Sequence, residues 1–478
     1  MAIRPIRADE PREACGVIGI FGVDKAAEYA YAGLYALQHR GQESAGIVVS
    51  DGENIQSKKG LGLLSEAIKP DDLSDLRGHI AVGHVRYSTT GAKRVQNIQP
   101  LVIEYSGGII AVAHNGNLTN ARTLRRQYQS RGSIFETSCD SEIIVHLLAD
   151  PKHGQADDPL GQVLKQVEGS FSLVVMDATG IMAARDPQGF RPLSLGEFSG
   201  GYLVASETCA FDLLGAKFLR DVQPGEIVEI REGQMSSRRF TRHGQHALAH
   251  CIFEHIYFAR PDSVVFGETV HKVRLRLGES LARYCPAEAD IVVPVPDSGN
   301  SAALGFSRRS GIPLDSGFIR NHYVGRTFIL PAEESRSGQV KRKLNVVRDV
   351  VAGKRVVVVD DSIVRGTTCR AQMQALRRAG PKEIHLRISS PPIRFPCYYG
   401  IDFPHADDLV AAGKSVEEIR DFLGVDSLGY QTIEGLLEAV PPPAGDYCTA
   451  CFTGEYPVEV TEDMSKYAME YSHKKGQK

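Results

Sequence analysis

Residues Val356 to Cys369 read VVVVDDSIVRGTTC, and this run decides the architecture of the chain's second half. Four consecutive valines after Gly353, Lys354 and Arg355 predict a strand covered on both faces, as in the parallel sheets of α/β domains. Asp360 and Asp361 then fall at its carboxyl end. Two adjacent carboxylates beside an apolar run repel each other and lose hydration, so their placement suits a bound cation or hydroxyl donors. The turn Arg365-Gly366-Thr367-Thr368 leads into CRAQMQALRRAG, whose apolar spacing is helical and which closes on Gly380. Backbone N–H groups at that helix start, with two threonine hydroxyls, make a seat for a phosphate.

Ala289 to Ser307, ADIVVPVPDSGNSAALGFS, predicts a second strand-turn-helix unit. Its Pro296-Asp297-Ser298-Gly299 turn offers backbone donors and a hydroxyl to another anion. Arg320 to Lys343 is rich in cations and weak in periodicity, which suits a solvated loop or a basic hood that closes over substrate and excludes water. The DDSIVRGTT string resembles the diphosphoribosyl fingerprint of the type I phosphoribosyltransferases. That resemblance implies a ribose-5-phosphate ligand near Asp360, Asp361, Arg365, Gly366, Thr367 and Thr368. It makes Asp297, Ser298 and Gly299 the pyrophosphate loop, and Ser298, Asp360 and Asp361 the residues nearest Mg2+. It makes Arg326, Lys341 and Arg342 candidates for phosphate contacts in the hood.

The chain has 478 residues, enough for two domains or more, each burying its own core. A formal net charge of -3 argues against nucleic acid or an anionic membrane as the main partner. The first fourteen residues, MAIRPIRADEPREA, are too charged for a secretory signal, so the expectation is a cytoplasmic protein whose nine cysteines stay reduced.

Five strings stand out in the first half: CGVIGIFG from Cys15, LQHRGQESAGI, HVRYSTTG, HNGNL and SCDSE. Taken singly, Cys15 is a small buried hydrophobe, Arg86 an ion-pair partner, Asp140 a helix cap and Asn115-Gly116 a hairpin turn. Together and in order, the strings resemble the glutaminase domain of the class II glutamine amidotransferases, members of the N-terminal nucleophile hydrolases. The chemistry needs these residue types. A thiolate attacks the side-chain amide of glutamine, ammonia leaves, and water hydrolyses the thioester to glutamate. Were the leader removed so that Cys15 came first, its own α-amine, with a pKa of roughly 8, would accept the thiol proton. The resemblance makes the Asn115 amide and the Gly116 N–H the oxyanion donors, and gives Arg86 and Asp140 the carboxylate and amine of glutamine. His39 and His114 are read as structural neighbours, and Asp186 to Pro192 as a rigid turn without chemistry.

Strand runs from Val163 to Ile230 predict the second sheet of the first domain, and the polar run Arg231 to Gln245, with little periodicity, puts the domain boundary near His246. CIFEHIYFARPDS places Cys251 in an aromatic strand, Cys397 follows in FPCYYGIDFP, and Cys448 and Cys451 form a C-x-x-C pair. Four thiolates at one site would suit zinc or an iron–sulfur cluster, and spacing alone does not choose.

Both halves together resemble the glutamine phosphoribosylpyrophosphate amidotransferases. The fold class this implies is α/β and α+β, an N-terminal nucleophile hydrolase αββα sandwich followed by a type I phosphoribosyltransferase parallel α/β domain. The expected division is a propeptide at 1–14, a glutaminase domain at 15–245, a phosphoribosyltransferase domain with a cluster-binding arm at 246–462, and a flexible tail at 463–478. The implied reaction turns glutamine, water and phosphoribosyl pyrophosphate (PRPP) into 5-phosphoribosylamine, glutamate and pyrophosphate, the first committed step of purine synthesis. The cluster-bearing branch of the family implies a structural 4Fe-4S cluster on Cys251, Cys397, Cys448 and Cys451. Mg2+, feedback inhibition by purine nucleotides and a homotetramer are likewise implied by resemblance. Other amidotransferases of the class lack the PRPP fingerprint, and a PRPP-binding regulator would need a DNA-binding module that the sequence does not display.

Overall fold

The computed structural model describes residues 15–87, 94–154, 156–242, 244–321, 344–403 and 405–459. The leader, the tail and the hood cations Arg326, Lys341 and Arg342 lie outside the described residues.

The first half supplies thirteen strands: β1 (Gly16–Phe21), β2 (Ser44–Ser50), β3 (Ile55–Leu61), β4 (Ile80–Arg86), β5 (Leu101–Tyr105), β6 (Gly108–Leu118), β7 (Gly169–Met176), β8 (Gly180–Arg185), β9 (Ser194–Phe198), β10 (Gly201–Ala205), β11 (Lys217–Asp221), β12 (Glu226–Arg231) and β13 (Gln234–Arg239). They form a seven-stranded sheet in the order β11-β9-β10-β1-β4-β2-β3 and a six-stranded sheet in the order β13-β12-β8-β7-β6-β5. Every residue of β1 is buried, because one face meets the helix Ala26–Ala36 and the other meets the second sheet. Glycine is required there. A Cβ on Gly19 would stand 2.9 Å from Val174 of β7, and one on Gly33 of the helix 2.1 Å from Ile18. Helices Ala121–Ser130, Glu142–Ala149 and Pro159–Leu164 cover the outer face of the second sheet, completing an αββα sandwich.

Three expectations are corrected. The strands between Val163 and Ile230 do not all join the second sheet: β9, β10 and β11 return to the first, with β10 pairing β1 through Ile18 and Ala205. Alternating burial looks the same in either sheet, so the sequence pattern could not assign them. The run Arg231 to Gln245, read as having little periodicity, is in part a strand, because a Glu232-Gly233 turn with both φ positive folds β13 back on β12 as a polar edge strand. The reading of Ala113 to Asn120 as strand then turn holds: Asn115 and Gly116 continue β6, in register with Ser172 and Phe171 of β7, and the turn follows at Thr119 and Asn120. Cys251 belongs to a strand of only two residues, followed by a π-helical turn at Glu254–Phe258. That brief strand runs parallel to Tyr447–Cys448, bringing Cys251 opposite Cys448.

The second half carries a four-stranded parallel sheet of Ile291–Pro294, Arg355–Asp360, Glu383–Ile388 and Ser427–Tyr430. The valine run is its buried second strand. The loops that follow the first two strands therefore emerge side by side at the carboxyl edge, where open α/β sheets bind ligands. Behind the first loop, helix Asn300–Ser310 crosses helix Val270–Tyr284 at small residues. Among the described residues no helix is long and apolar enough to cross a membrane.

A Cβ on Gly278 would sit 1.8 Å from the carbonyl oxygen of Ala302. Gly278→Ala must push these helices apart, and overpacking of this kind costs about 1–3 kcal/mol. Urea denaturation is expected to show a lower midpoint for this variant.

Candidate active sites

At one end of the sandwich three strands converge. Gly16 pairs Val85, so Cys15 lies beside Arg86 at the end of β4, and its thiol donates to the Tyr87 carbonyl at 3.5 Å. Both residues are buried. The sheets are tied by His84 Nε2, 3.0 Å from the His114 carbonyl oxygen, which brings the Asn115-Gly116 stretch of β6 to the same end. Burial lowers the pKa of His84 to about 3 and also lowers that of His114, so both rings are neutral. His114 Nδ1 lies 2.8 Å from Ser141 Oγ, and His39 Nε2 lies 2.8 Å from Glu207, both structural contacts.

Asp140 is buried and does not cap its helix. Its Oδ2 accepts from the Leu118 N–H at 2.8 Å, fixing the end of β6, while Glu142–Ala149 begins after Ser141 with no side-chain cap. The charge of Arg86 acts on the adjacent Cys139 thiol, whose pKa burial and Asp140 push up to about 11. Arg86, Asp140 and Cys15 are thus gathered around β4 and β6. Gly116 has φ of +148°, and a Cβ there would lie 2.0 Å from the Ser170 carbonyl oxygen, so no side chain fits. The Asn115 Nδ2 is buried and has no hydrogen-bond partner among the described residues. An amide donor held in place without an acceptor is what an oxyanion site looks like before substrate arrives.

The second constellation forms at the carboxyl edge of the parallel sheet. The Val295 N–H donates to the Val359 carbonyl at 2.9 Å, locking the Pro296–Gly299 loop against the strand that ends in Asp360. A Cβ on Gly299 would lie 2.6 Å from that same carbonyl oxygen, so the close approach needs glycine. Burial pushes the pKa of Asp361 up, against hydrogen bonds with Ser298, Ser362 and Asp360 and the charge of Arg274. Ser298, Asp360 and Asp361 are therefore brought together. Gly366, with φ of +78°, starts the helix Thr367–Arg378 and sets Thr367 and Thr368 in its first turn. The other two charged loop residues have protein partners: Asp297 pairs with Arg320, and Arg365 lies 3.5 Å from Asp408.

Comparison with known proteins agrees with both constellations. A family profile described as a glutamine amidotransferase domain matches residues 84–212, and one described as a phosphoribosyl transferase domain matches residues 277–389. Amidophosphoribosyltransferase of Bacillus subtilis is 47% identical over 456 residues, covering 94% of this chain and 95% of its own. The enzyme of that name from Methanothermobacter thermautotrophicus is 48% identical, covering 96% and 97%. The solved structure of the B. subtilis enzyme complexed with ADP and GMP superposes with a TM-score of 0.89, covering 94% of this chain and 98% of that one. The chain belongs to the amidophosphoribosyltransferase family. It is a glutamine-dependent PRPP amidotransferase of purine biosynthesis, built from an N-terminal nucleophile hydrolase domain and a phosphoribosyltransferase domain.

The two halves of the chain meet across a joint that sequence reasoning missed. Arg40, Arg191, Glu207 and Glu254 have side chains between 0% and 1% exposed and form one ion cluster. Arg40 grips Glu254 with two bonds of 2.9 and 2.8 Å, pairs with Glu207, and donates through Nε to the Cys15 carbonyl at 3.2 Å. Arg191 donates to Glu254 at 2.9 Å and to the Tyr399 carbonyl at 3.2 Å. The available signals were Arg40 inside LQHRGQE and Arg191 in the turn assigned no chemistry. Nothing local marked Glu254. The 398–400 loop also touches the end of β6: Asn117 donates to the Tyr398 carbonyl at 2.8 Å, and a Cβ on Gly400 would lie 3.3 Å from the Gly116 carbonyl carbon.

Cys251, Cys397, Cys448 and Cys451 line one cavity with Phe190 and Tyr399. Burial pushes the Cys451 thiol well up, and the other three push it further. Among the described residues no three His, Cys, Asp or Glu side chains close on a single point as a ready-made metal site.

Burial opposes ionisation of Glu207, but His39 and Arg40 outweigh it and hold its pKa below the ordinary 4.5. A carboxylate whose folded pKa is depressed contributes stability above its unfolded pKa and loses it as pH falls toward the folded value. Glu207→Gln is therefore expected to be destabilised at pH 7, with a gap to the parent chain that narrows as the pH is lowered from 7 toward 3. Denaturant titrations at several pH values measure that gap.

Proposed function

We propose that Cys15 is the glutaminase nucleophile, and that residues 1–14 are removed so that its own α-amine takes the thiol proton. The thiolate attacks the amide carbon of glutamine, and the Asn115 amide and Gly116 N–H receive the developing oxyanion. The reading is carried by the unpartnered, buried Asn115 Nδ2, a donor at the same end of the sandwich as Cys15. Arg86 holds the substrate carboxylate, an arginine being able to make two parallel bonds to it, and Asp140 holds the amine. Ammonia then passes to C1 of PRPP. The two sites are best served by a dry path, since ammonia that reaches solvent is protonated and lost. Arg326, Lys341 and Arg342 close over PRPP and keep water out. Glutaminase and phosphoribosyltransferase domains are assigned to 15–245 and 246–462, with 463–478 as a tail.

Asp297, Ser298 and Gly299 bind the pyrophosphate, and Arg365, Gly366, Thr367 and Thr368 the 5-phosphate end. Ser298, Asp360 and Asp361 fit Mg2+, an oxygen-seeking cation that takes one or two carboxylates and completes its shell with substrate phosphate. Bound there, Mg2+ would neutralise charge on the departing pyrophosphate. Asp360 and Asp361 also accept hydrogen bonds from the ribose hydroxyls.

The four-cysteine cavity fits a 4Fe-4S cluster. Zinc–thiolate bonds of about 2.3 Å would draw four sulfurs around one point, whereas a cluster gives each thiolate its own iron. The support for a site here is that Cys251, Cys397, Cys448 and Cys451 all line one cavity. Its role is structural, tying the C-terminal arm to the joint. Purine nucleotides are the expected inhibitors, in line with ADP and GMP in the B. subtilis structure. A cytoplasmic homotetramer completes the reading.

Cys15→Ala is expected to abolish glutamine-driven product formation while ammonia-driven formation persists in a coupled assay, and surviving glutamine activity would refute the nucleophile. Asn115→Ala should lower the glutaminase kcat by about a hundredfold to a thousandfold. Protein purified without oxygen should carry about four iron and four sulfide per chain; stoichiometric zinc in their place would refute the cluster. An intact Met1 in active enzyme would rule out leader removal.

A further inference from the structure

We infer that Glu254 is a positioning residue for the Cys15 nucleophile, acting through Arg40 from beyond the last strand of the sandwich. The inference rests on the reading of Cys15 as nucleophile and names what holds it in place. Of the cluster, Arg40 touches Cys15 itself, through the Nε donation to its carbonyl at 3.2 Å. A guanidinium is planar, so the direction of Nε–H follows from where its two terminal nitrogens are fixed. Those nitrogens are fixed chiefly by Glu254, which receives both at 2.9 and 2.8 Å. The carboxylate of Glu254 thus sets the plane that aims at the Cys15 carbonyl, and with it the backbone carrying the thiol and the α-amine.

Charge makes the dependence strong. Within the sandwich Arg40, Arg191 and Glu207 sum to +1, all three buried, and Glu254 supplies the missing negative charge. Removing one partner of a buried pair strands the other, so Arg40 without Glu254 would turn toward Glu207 and away from Cys15. Glu254 itself is held from the far side. It begins the π-helical turn Glu254–Phe258, an insertion often found at functional sites. The buried Arg274 clasps that turn, donating to the His255 carbonyl at 2.7 Å and the Ala259 carbonyl at 2.9 Å. Glutaminase competence therefore requires this turn to be docked on the sandwich.

The test compares full-length Glu254→Gln with the parent enzyme in glutamine-driven and ammonia-driven synthesis, and follows alkylation of Cys15 by iodoacetamide across pH. The expected result is a glutamine-driven kcat that falls at least tenfold more than the ammonia-driven kcat. KM for glutamine should stay within threefold, and Cys15 alkylation should slow with a displaced pH profile. Arg40→Lys, which lacks the planar Nε–H, should reproduce the split. Glu254→Asp keeps the charge and covers the case in which the glutamine variant does not fold; it should show the same split at smaller size. Equal loss of both activities, or an alkylation profile unchanged in these variants, overturns the inference. Cys15→Ala run alongside separates the two readings: if it alone removes glutamine-driven activity, the nucleophile stands and only the role of Glu254 fails.

Discussion

Four charged side chains, Arg40, Arg191, Glu207 and Glu254, lie buried at the joint of the molecule, and the rest of the arrangement depends on their balance. Each ion loses several kcal/mol of hydration on burial, a cost offset only by close partners with good geometry. Glu207 gains further hydrogen bonds from Ser263 and from the Arg260 N–H, so the segment after the sandwich supplies both a carboxylate and the donors that satisfy one. Without the Glu254 carboxylate the cluster would hold an excess buried cation. The two halves are thus bound by electrostatic necessity as well as by apolar contact.

That joint also explains how two chemistries share one chain. Cys15 and the Asn115-Gly116 stretch occupy one end of the sandwich, and the 398–400 loop sits directly against Gly116. Arg274 lies within the field of Asp361 and grips the turn that begins at Glu254. Burial lowers its pKa to about 10 while Asp361 acts against that shift. A short run of packed groups therefore connects the carboxylates of the parallel sheet with the backbone of Cys15. The cysteine cavity borders the same joint, with Arg191 Nη1 at 3.8 Å from Cys251 Sγ and Phe190 stacked on Tyr399 at 4.4 Å.

Much of this was legible in the chain itself, because strand-loop-helix units with functional loops are local. The valine run and its two aspartates specified a buried parallel strand with acidic residues at its carboxyl end, and the PDSG turn was found in the equivalent place on the neighbouring strand. Cys15, Arg86, Asn115 and Asp140 were singled out by the strings around them, and what those strings did not show is that Asp140 secures the end of β6 through the Leu118 N–H.

What sequence alone determined were the elements whose causes lie within some fifteen neighbours: apolar periodicity, glycine at forced conformations and acidic pairs at strand ends. Tertiary structure decided which sheet β9 to β11 joined, how Cys251 came to face Cys448, and that Arg40 and Glu254, 214 positions apart, neutralise one another. The reason is physical. An isolated glutamate or arginine reads as a solvated surface charge, and only the folded chain removes the water that would have made it one.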